Sequence, residues 1–313
     1  MVASSSPETA ARRRPDLFQW LCRAASVAAV FVLAWIFYEI FREAWPALEK
    51  FGPGFLGGSS WQPNRDRYGV LPFLVGTGAT ALIALILAFP PGVAIAIFLS
   101  EDFLPRPIRH FVRFVVELLA AIPSVVYGLW GIAVVVPLVQ AAGTWTSDRF
   151  GGIPLLAGPA YGNSLLSAGV VLALMVLPTI TAISRGSLVA VPRTLREGAY
   201  ALGATRWEAI LGVILPTAAP GVVAATILAL GRAMGETMAV AMLIGNSSRL
   251  SWSLFAPSGT LASLLANQFG EAEGMQVSAL MYAALLLVAL TLVVNFAGEA
   301  VLRYTERRTA GVR

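Results

Sequence analysis

Along this chain, long uninterrupted apolar stretches alternate with shorter polar connections, and the lengths of the apolar stretches predict the architecture. Stretches long enough to cross a hydrocarbon layer about 30 Å thick lie near residues 21–41, 73–99, 111–140, 163–183, 221–244 and 277–301. They predict an all-α, polytopic membrane protein with about six transmembrane helices. The expected organisation is a disordered tail over 1–19, a first transmembrane helix with an outer-face loop over 20–72, a membrane core over 73–303 and a second tail over 304–313.

One connection does not fit a simple link between spans. Residues 193–216 carry Arg193, Arg196, Glu197, Arg206 and Glu208 beside apolar Leu195, Ala199, Leu202, Trp207, Ile210 and Leu211 at helical spacing, with Gly203 where a turn falls. A loop that only joined two spans needs fewer residues. The pattern predicts a helix-turn-helix knob for docking.

Composition removes the soluble alternatives. The chain is 57% hydrophobic and 12% charged with a mean hydropathy of +0.75, too little polar surface to cover a soluble globule. Its formal net charge of +5 is then first an orientation signal, not a nucleic-acid footprint. Arg12, Arg13, Arg14 and Arg23 fall at the first span, Arg106, Arg109 and Arg113 in the second connection, Arg185, Arg193, Arg196 and Arg206 around the fourth, and Arg303, Arg307, Arg308 and Arg313 after the last. The bias predicts that both termini and the Glu197 loop are cytoplasmic. The first apolar run lacks a following Ala-x-Ala site, so it is expected to be an uncleaved anchor. The basic tail before it is placed against anionic lipid headgroups.

Several chemistries lack their residues. Cys22 is the only cysteine and His110 the only histidine, which excludes a multi-cysteine metal site and gives a histidine-based triad no starting point. Lys50 is the only lysine and does not sit in a Gly-rich loop, so the chain holds no Walker A phosphate cradle. Transport driven by ATP therefore requires a separate ATPase, and the chain by itself is expected to be neither catalytic nor the holder of a cofactor or metal.

The fifth apolar stretch contains Arg232 and Glu236, four residues apart and on one face of a continuous helix. A charge at bilayer centre costs roughly 2.5–3.5 kcal/mol on insertion scales, so the pair is expected to face protein or water. Either it is an intrahelical ion pair that fixes packing, or Arg232 grips a passing oxyanion while Glu236 neutralises it between substrates. Gly231 and Gly235 are spaced for close helix approach, against a second permease subunit in the stronger form of that reading. In the third stretch Pro123 predicts a bend that frees a carbonyl, with the hydroxyls of Ser124 and Tyr127 beside it. They either pack or line a path for a phosphate-like ligand. The turn-rich segment 45–72 predicts an outer loop anchored at the interface by Trp45 and Trp61. A short helix is expected over 260–269, covering the bundle or meeting an external binding protein.

Glu197-Gly198-Ala199, then Gly203, then Val213-Ile214-Leu215-Pro216 resembles the EAA cytoplasmic loop of ABC importer permeases, with Gly198 in place of an alanine and Val213 in place of an isoleucine. The resemblance implies a type I ABC importer permease fold and assigns Glu197, Gly198, Ala199, Gly203, Ala204 and Pro216 to ATPase docking. Residues 117–131 and 231–240 are similar to the matching segments of phosphate-specific importer permeases. That resemblance implies a plasma-membrane phosphate permease whose path includes Arg232, Glu236, Ser124 and Tyr127. It also implies a second, PstA-like permease subunit, a PstB-like ATPase dimer holding ATP and Mg, and a PstS-like phosphate-binding protein at the outer face. A permease for sulfate or molybdate, a proton-coupled secondary anion transporter using Glu236, and a non-transporting scaffold remain as alternatives.

Overall fold

The computed structural model describes residues 17–101, 103, 105–150 and 152–310. Most of the expected amino-terminal tail, and residues 311–313, lie outside them. An apolar chain in lipid must satisfy its backbone hydrogen bonds within itself, which favours helices, and helices are what form. They are α1 (Leu17–Phe51), α2 (Leu71–Ser100), α3 (Arg106–Ala121), α4 (Ser124–Phe150), α5 (Leu165–Val189), α6 (Arg193–Ala201), α7 (Arg206–Gly235), α8 (Met238–Leu243), α9 (Leu261–Gln268) and α10 (Met275–Ala310). Among the described residues six helices are long and apolar enough to span a bilayer: α1, α2, α4, α5, α7 and α10.

The core is built around α5. In its most apolar stretch 61% of residues are buried, against 0% in that of α1, so α5 is central and α1 peripheral. Helix α2 lies along α5, and the Thr181 hydroxyl donates to the Gly92 carbonyl across the seam at 3.2 Å. Helices α7 and α10 complete the bundle. Apolar side chains of α1 such as Phe31, Val32 and Trp35 point outward, as they would toward lipid.

Two expectations about element ends and one about an anchor are corrected. Helix α1 runs on to Phe51, through Pro46, and the Trp45 indole donates to Glu49 one turn further along at 2.7 Å, so the outer loop starts later than Trp45. Trp61 is not an interfacial anchor. It is 7% exposed, inside an aromatic cluster with Phe55, Tyr68 and Phe73, and its indole N–H donates to Gln268 at 2.7 Å. At the other end α10 continues through Ala310, so most of the segment expected as a tail is helical.

Two spans are displaced along the chain from the apolar pattern, because each pattern runs across a break in the helix. The stretch over 111–140 divides into α3 and α4 at Ile122 and Pro123, and Pro123 is the residue that caps α4 instead of a kink inside a helix. Helix α3 is strongly amphipathic, with Phe111, Phe114 and Leu118 exposed on one side and Arg106, Arg113 and Glu117 on the other. The stretch over 221–244 divides at Glu236 and Thr237, and the span that crosses the membrane is Arg206–Gly235.

The short helix expected over 260–269 is α9. The Thr260 hydroxyl and Ser263 satisfy each other's backbone amides, and the Leu261 amide donates to Thr77 of α2 at 3.0 Å. With Leu261 and Leu264 buried, α9 covers the end of the bundle opposite α6.

Candidate anion path and docking surface

Helix α6 begins after Pro192 and ends in a turn at Gly203, whose φ of +86° is a conformation that side chains with a Cβ adopt at a cost. The Gly203 amide donates to the Tyr200 carbonyl and the Ala204 amide to Ala199, which closes the turn. Thr205 and Glu208 then form a capping box. The second helix of the expected helix-turn-helix is not a separate element: it is the first part of α7. Within it a π-turn over Ile210–Ile214 has the Leu215 amide donating five residues back to Ile210, and Pro216 follows it. Glu197, Gly198, Gly203 and Pro216 are exposed, Ala204 is half-buried and Ala199 is buried. Leu202, at the tip, is 91% exposed.

The ties beneath this knob carry no signal in the sequence. Arg196 donates from Nη1 to Glu101 Oε1 and from Nη2 to the Leu188 carbonyl, both at 2.6 Å. Phe103 stacks on Trp207 with ring centroids 5.1 Å apart, and Phe98 meets the same indole edge-on. A cavity of about 280 Å³ lies between them, lined by Glu101, Phe103, Arg196, Tyr200, Arg206 and Ile210.

The second polar island lies at the two breaks. Gly128 of α4 sits against Ala239 and Met242 of α8, and Gly131 sits against Leu243, so the two segments run in parallel and their first residues stand at one level. A Cβ at Gly128 would come within 2.6 Å of the Met242 sulfur and 3.3 Å of the Ala239 Cα, so a larger residue there requires Met242 to shift. Around this level the structure brings together Arg232, Tyr127 and Thr179: Arg232 Nη1 donates to the Thr179 hydroxyl of α5 at 3.3 Å, and the guanidinium is within electrostatic reach of Tyr127. Thr179 is not among the residues expected from sequence, although a hydroxyl directly after Pro178 in an apolar run is a usable signal.

Several site expectations change here. Glu236 does not share a helical face with Arg232, because the helix ends at Gly235 and Glu236 has extended backbone (ψ 126°). No ion pair joins the two among the described residues. Tyr127 is buried, and its hydroxyl donates to the Leu119 carbonyl at 2.8 Å, bridging the break with the carbonyl that Pro123 leaves free. Its hydroxyl hydrogen thus ties the two sides of the break together, which leaves the oxygen's acceptor capacity. Ser124 is half-buried at the first position of α4. The Gly231–Gly235 pair does not act as one surface: Gly231 lets Asn295 of α10 approach, whereas a Cβ at Gly235 would meet nothing within 4 Å among the described residues. Arg232 itself is exposed on the face of α7 that this chain leaves uncovered.

Six spans, an amphipathic loop helix between the fourth and fifth, and a cation on an open helix face define a membrane permease subunit. Residues 92–311 match the family described as "Binding-protein-dependent transport system inner membrane component". Within it, the chain belongs to the family of phosphate transport system permease proteins PstC. It is 40% identical over 299 residues to PstC of Mesorhizobium japonicum, covering 94% of this chain and 91% of that one, and 42% identical to PstC of Pasteurella multocida, covering 89% and 88%. The fold is also that of solved ABC importers. A chain of the MetNI methionine transporter aligns with a TM-score of 0.56 at 22% identity over 75% of this chain and 95% of that one. A chain of a bacterial alginate importer aligns at 0.61 and 14% identity over 91% and 96%.

Proposed function

We propose that this chain forms half of a heterodimeric pathway importing inorganic phosphate across the bacterial plasma membrane, driven by ATP hydrolysed on separate chains. The observation that carries this reading is Arg232: a permanent cation on an uncovered helix face, between two helix breaks, held by one long hydrogen bond and not neutralised by Glu236. A guanidinium with most of its donors uncommitted suits a tetrahedral oxyanion, which it grips through two oxygens. The amino terminus of the 27-residue helix α4 adds a favourable dipole near the same level. Glu236, free of the helix, competes for the cation after the anion leaves. The PstC names of the relatives favour phosphate over sulfate or molybdate.

The assembly follows from the same reading. A PstA-like permease covers the open face of α7 and completes the pathway, and a PstB-like ATPase pair, holding ATP and Mg2+, docks on Glu197, Gly198, Ala199, Gly203, Ala204 and Pro216. A PstS-like binding protein delivers phosphate at the opposite end, where Trp252 is 75% exposed. The arginine distribution supports placing both termini and α6 in the cytoplasm. Closure of the ATPases pushes on α6 and on the start of α7, and the continuous helix carries that motion to Arg232 near its far end.

The test is reconstitution of all four kinds of chain in proteoliposomes. Phosphate uptake should require ATP and the binding protein, survive an uncoupler, and resist competition by sulfate and molybdate. Uptake by this chain alone, or collapse on uncoupling with ATP intact, would overturn the proposal.

A further inference from the structure

Arg196 stands where three helices end or begin, and the need for it is electrostatic. The carboxyl ends of α2 and α5 carry the negative pole of the helix dipole, yet neither has a basic residue in its own last turn. Glu101 caps α2 and adds a like charge to that pole. It is only 8% exposed, so water does little to relieve it. The Leu188 carbonyl is among the last four of α5, the ones an α-helix leaves without regular partners, and besides Arg196 it accepts a turn bond of 3.3 Å from the Val191 amide. One guanidinium from α6 answers both ends, with two charge-assisted bonds of 2.6 Å. The fork geometry matters, because an ammonium on a flexible stem does not hold two such acceptors in fixed directions.

We infer that the Glu101–Arg196–Leu188 bridge is a force-transmitting latch: it makes α6 move as one body with α2 and α5, so that a push received on the exposed side of α6 reaches Thr179 and Arg232 through the core. Covalently, α6 is joined only to α5 and α7. The bridge adds α2, the helix most extensively packed on α5. It acts from the buried side of α6, while Glu197, Gly198 and Leu202 remain exposed on the other. Glu101 and Arg196 are therefore positioning residues for transport, separate from the surface that binds the ATPase.

This inference rests on the transporter reading, and the experiment separates the two. The complete complex in proteoliposomes is assayed for phosphate uptake and ATP hydrolysis together, with co-purification of the ATPase as the docking readout. Glu101→Gln should leave co-purification and ATP hydrolysis within twofold of the parent while phosphate moved per ATP falls about tenfold, the scale of one lost charge-assisted hydrogen bond. Arg196→Lys, which keeps the charge and loses the fork, should fall between the parent and Arg196→Gln. Unchanged phosphate per ATP in Glu101→Gln overturns the latch, and so does loss of ATPase co-purification, which would place Glu101 in docking. A parent complex that shows no ATP-coupled uptake defeats the transporter reading itself, whatever the variants do.

Discussion

Arg196 and Arg232 sit at the two polar islands of an otherwise apolar chain and are held in opposite ways. Arg196 makes two bonds of 2.6 Å, to a carboxylate and a carbonyl, and its side chain is 19% exposed. Arg232 makes one bond of 3.3 Å to a hydroxyl, and lies open on the face of its helix. A guanidinium whose donors are committed fixes a structure. One whose donors are left over binds what arrives and can let it go. The same residue type thus serves as strut in one place and as gripping group in the other, and the surrounding acceptors decide which.

The comparison is most sharply tested by removing the gripping charge. Arg232→Gln should lower phosphate uptake by about a hundredfold, the upper range for a charge-assisted bond in a site shielded from water, while ATPase co-purification stays at the parental level. Parental uptake in that variant would make Arg232 a second strut. The next largest effect belongs to the turn between the islands. Gly203→Glu should weaken ATPase co-purification about tenfold, because a residue with a Cβ at this φ costs about 1–2 kcal/mol. A Cβ at Gly203 would meet no atom within 4 Å, so the cost is conformational, and Gly203→Asn, which tolerates the left-handed region, should lose less. Equal losses in a pull-down would point to a contact of Gly203 itself. The smallest effect concerns the single hydroxyl on Arg232. Thr179→Val should reduce uptake about fivefold, the worth of one hydrogen bond weakened by its 3.3 Å length, and a loss as large as that of Arg232→Gln would mean that the cation is held as rigidly as Arg196.

The two helix breaks differ in how visible they are in the chain. Pro123 announces one of them, because a residue without an amide hydrogen cannot continue the ladder of the preceding helix. Only its form, a complete break capped by the proline and not a bend, lies beyond the local pattern. The break at Glu236 and Thr237 has no proline. Apolar residues resume directly after it, so spacing alone puts Arg232 and Glu236 on one helical face, which the structure corrects. Beyond the break α8 packs on α4 at Gly128, a contact between residues more than a hundred positions apart that no local pattern announces. Likewise Tyr127 is legible as a hydroxyl beside a bend, but not as the donor that occupies the freed Leu119 carbonyl.

Local composition and spacing are enough to show that this chain spans a membrane in about six helices, with an amphipathic knob at 193–216 and two charges in its fifth apolar stretch. Little else is open to such a chain, since hydrocarbon leaves an apolar backbone few other ways to satisfy its hydrogen bonds. Which charges have partners is a matter of packing. Glu101 meets Arg196 and Thr179 meets Arg232 across 95 and 53 residues, so each pairing exists only once the helices between them have come together.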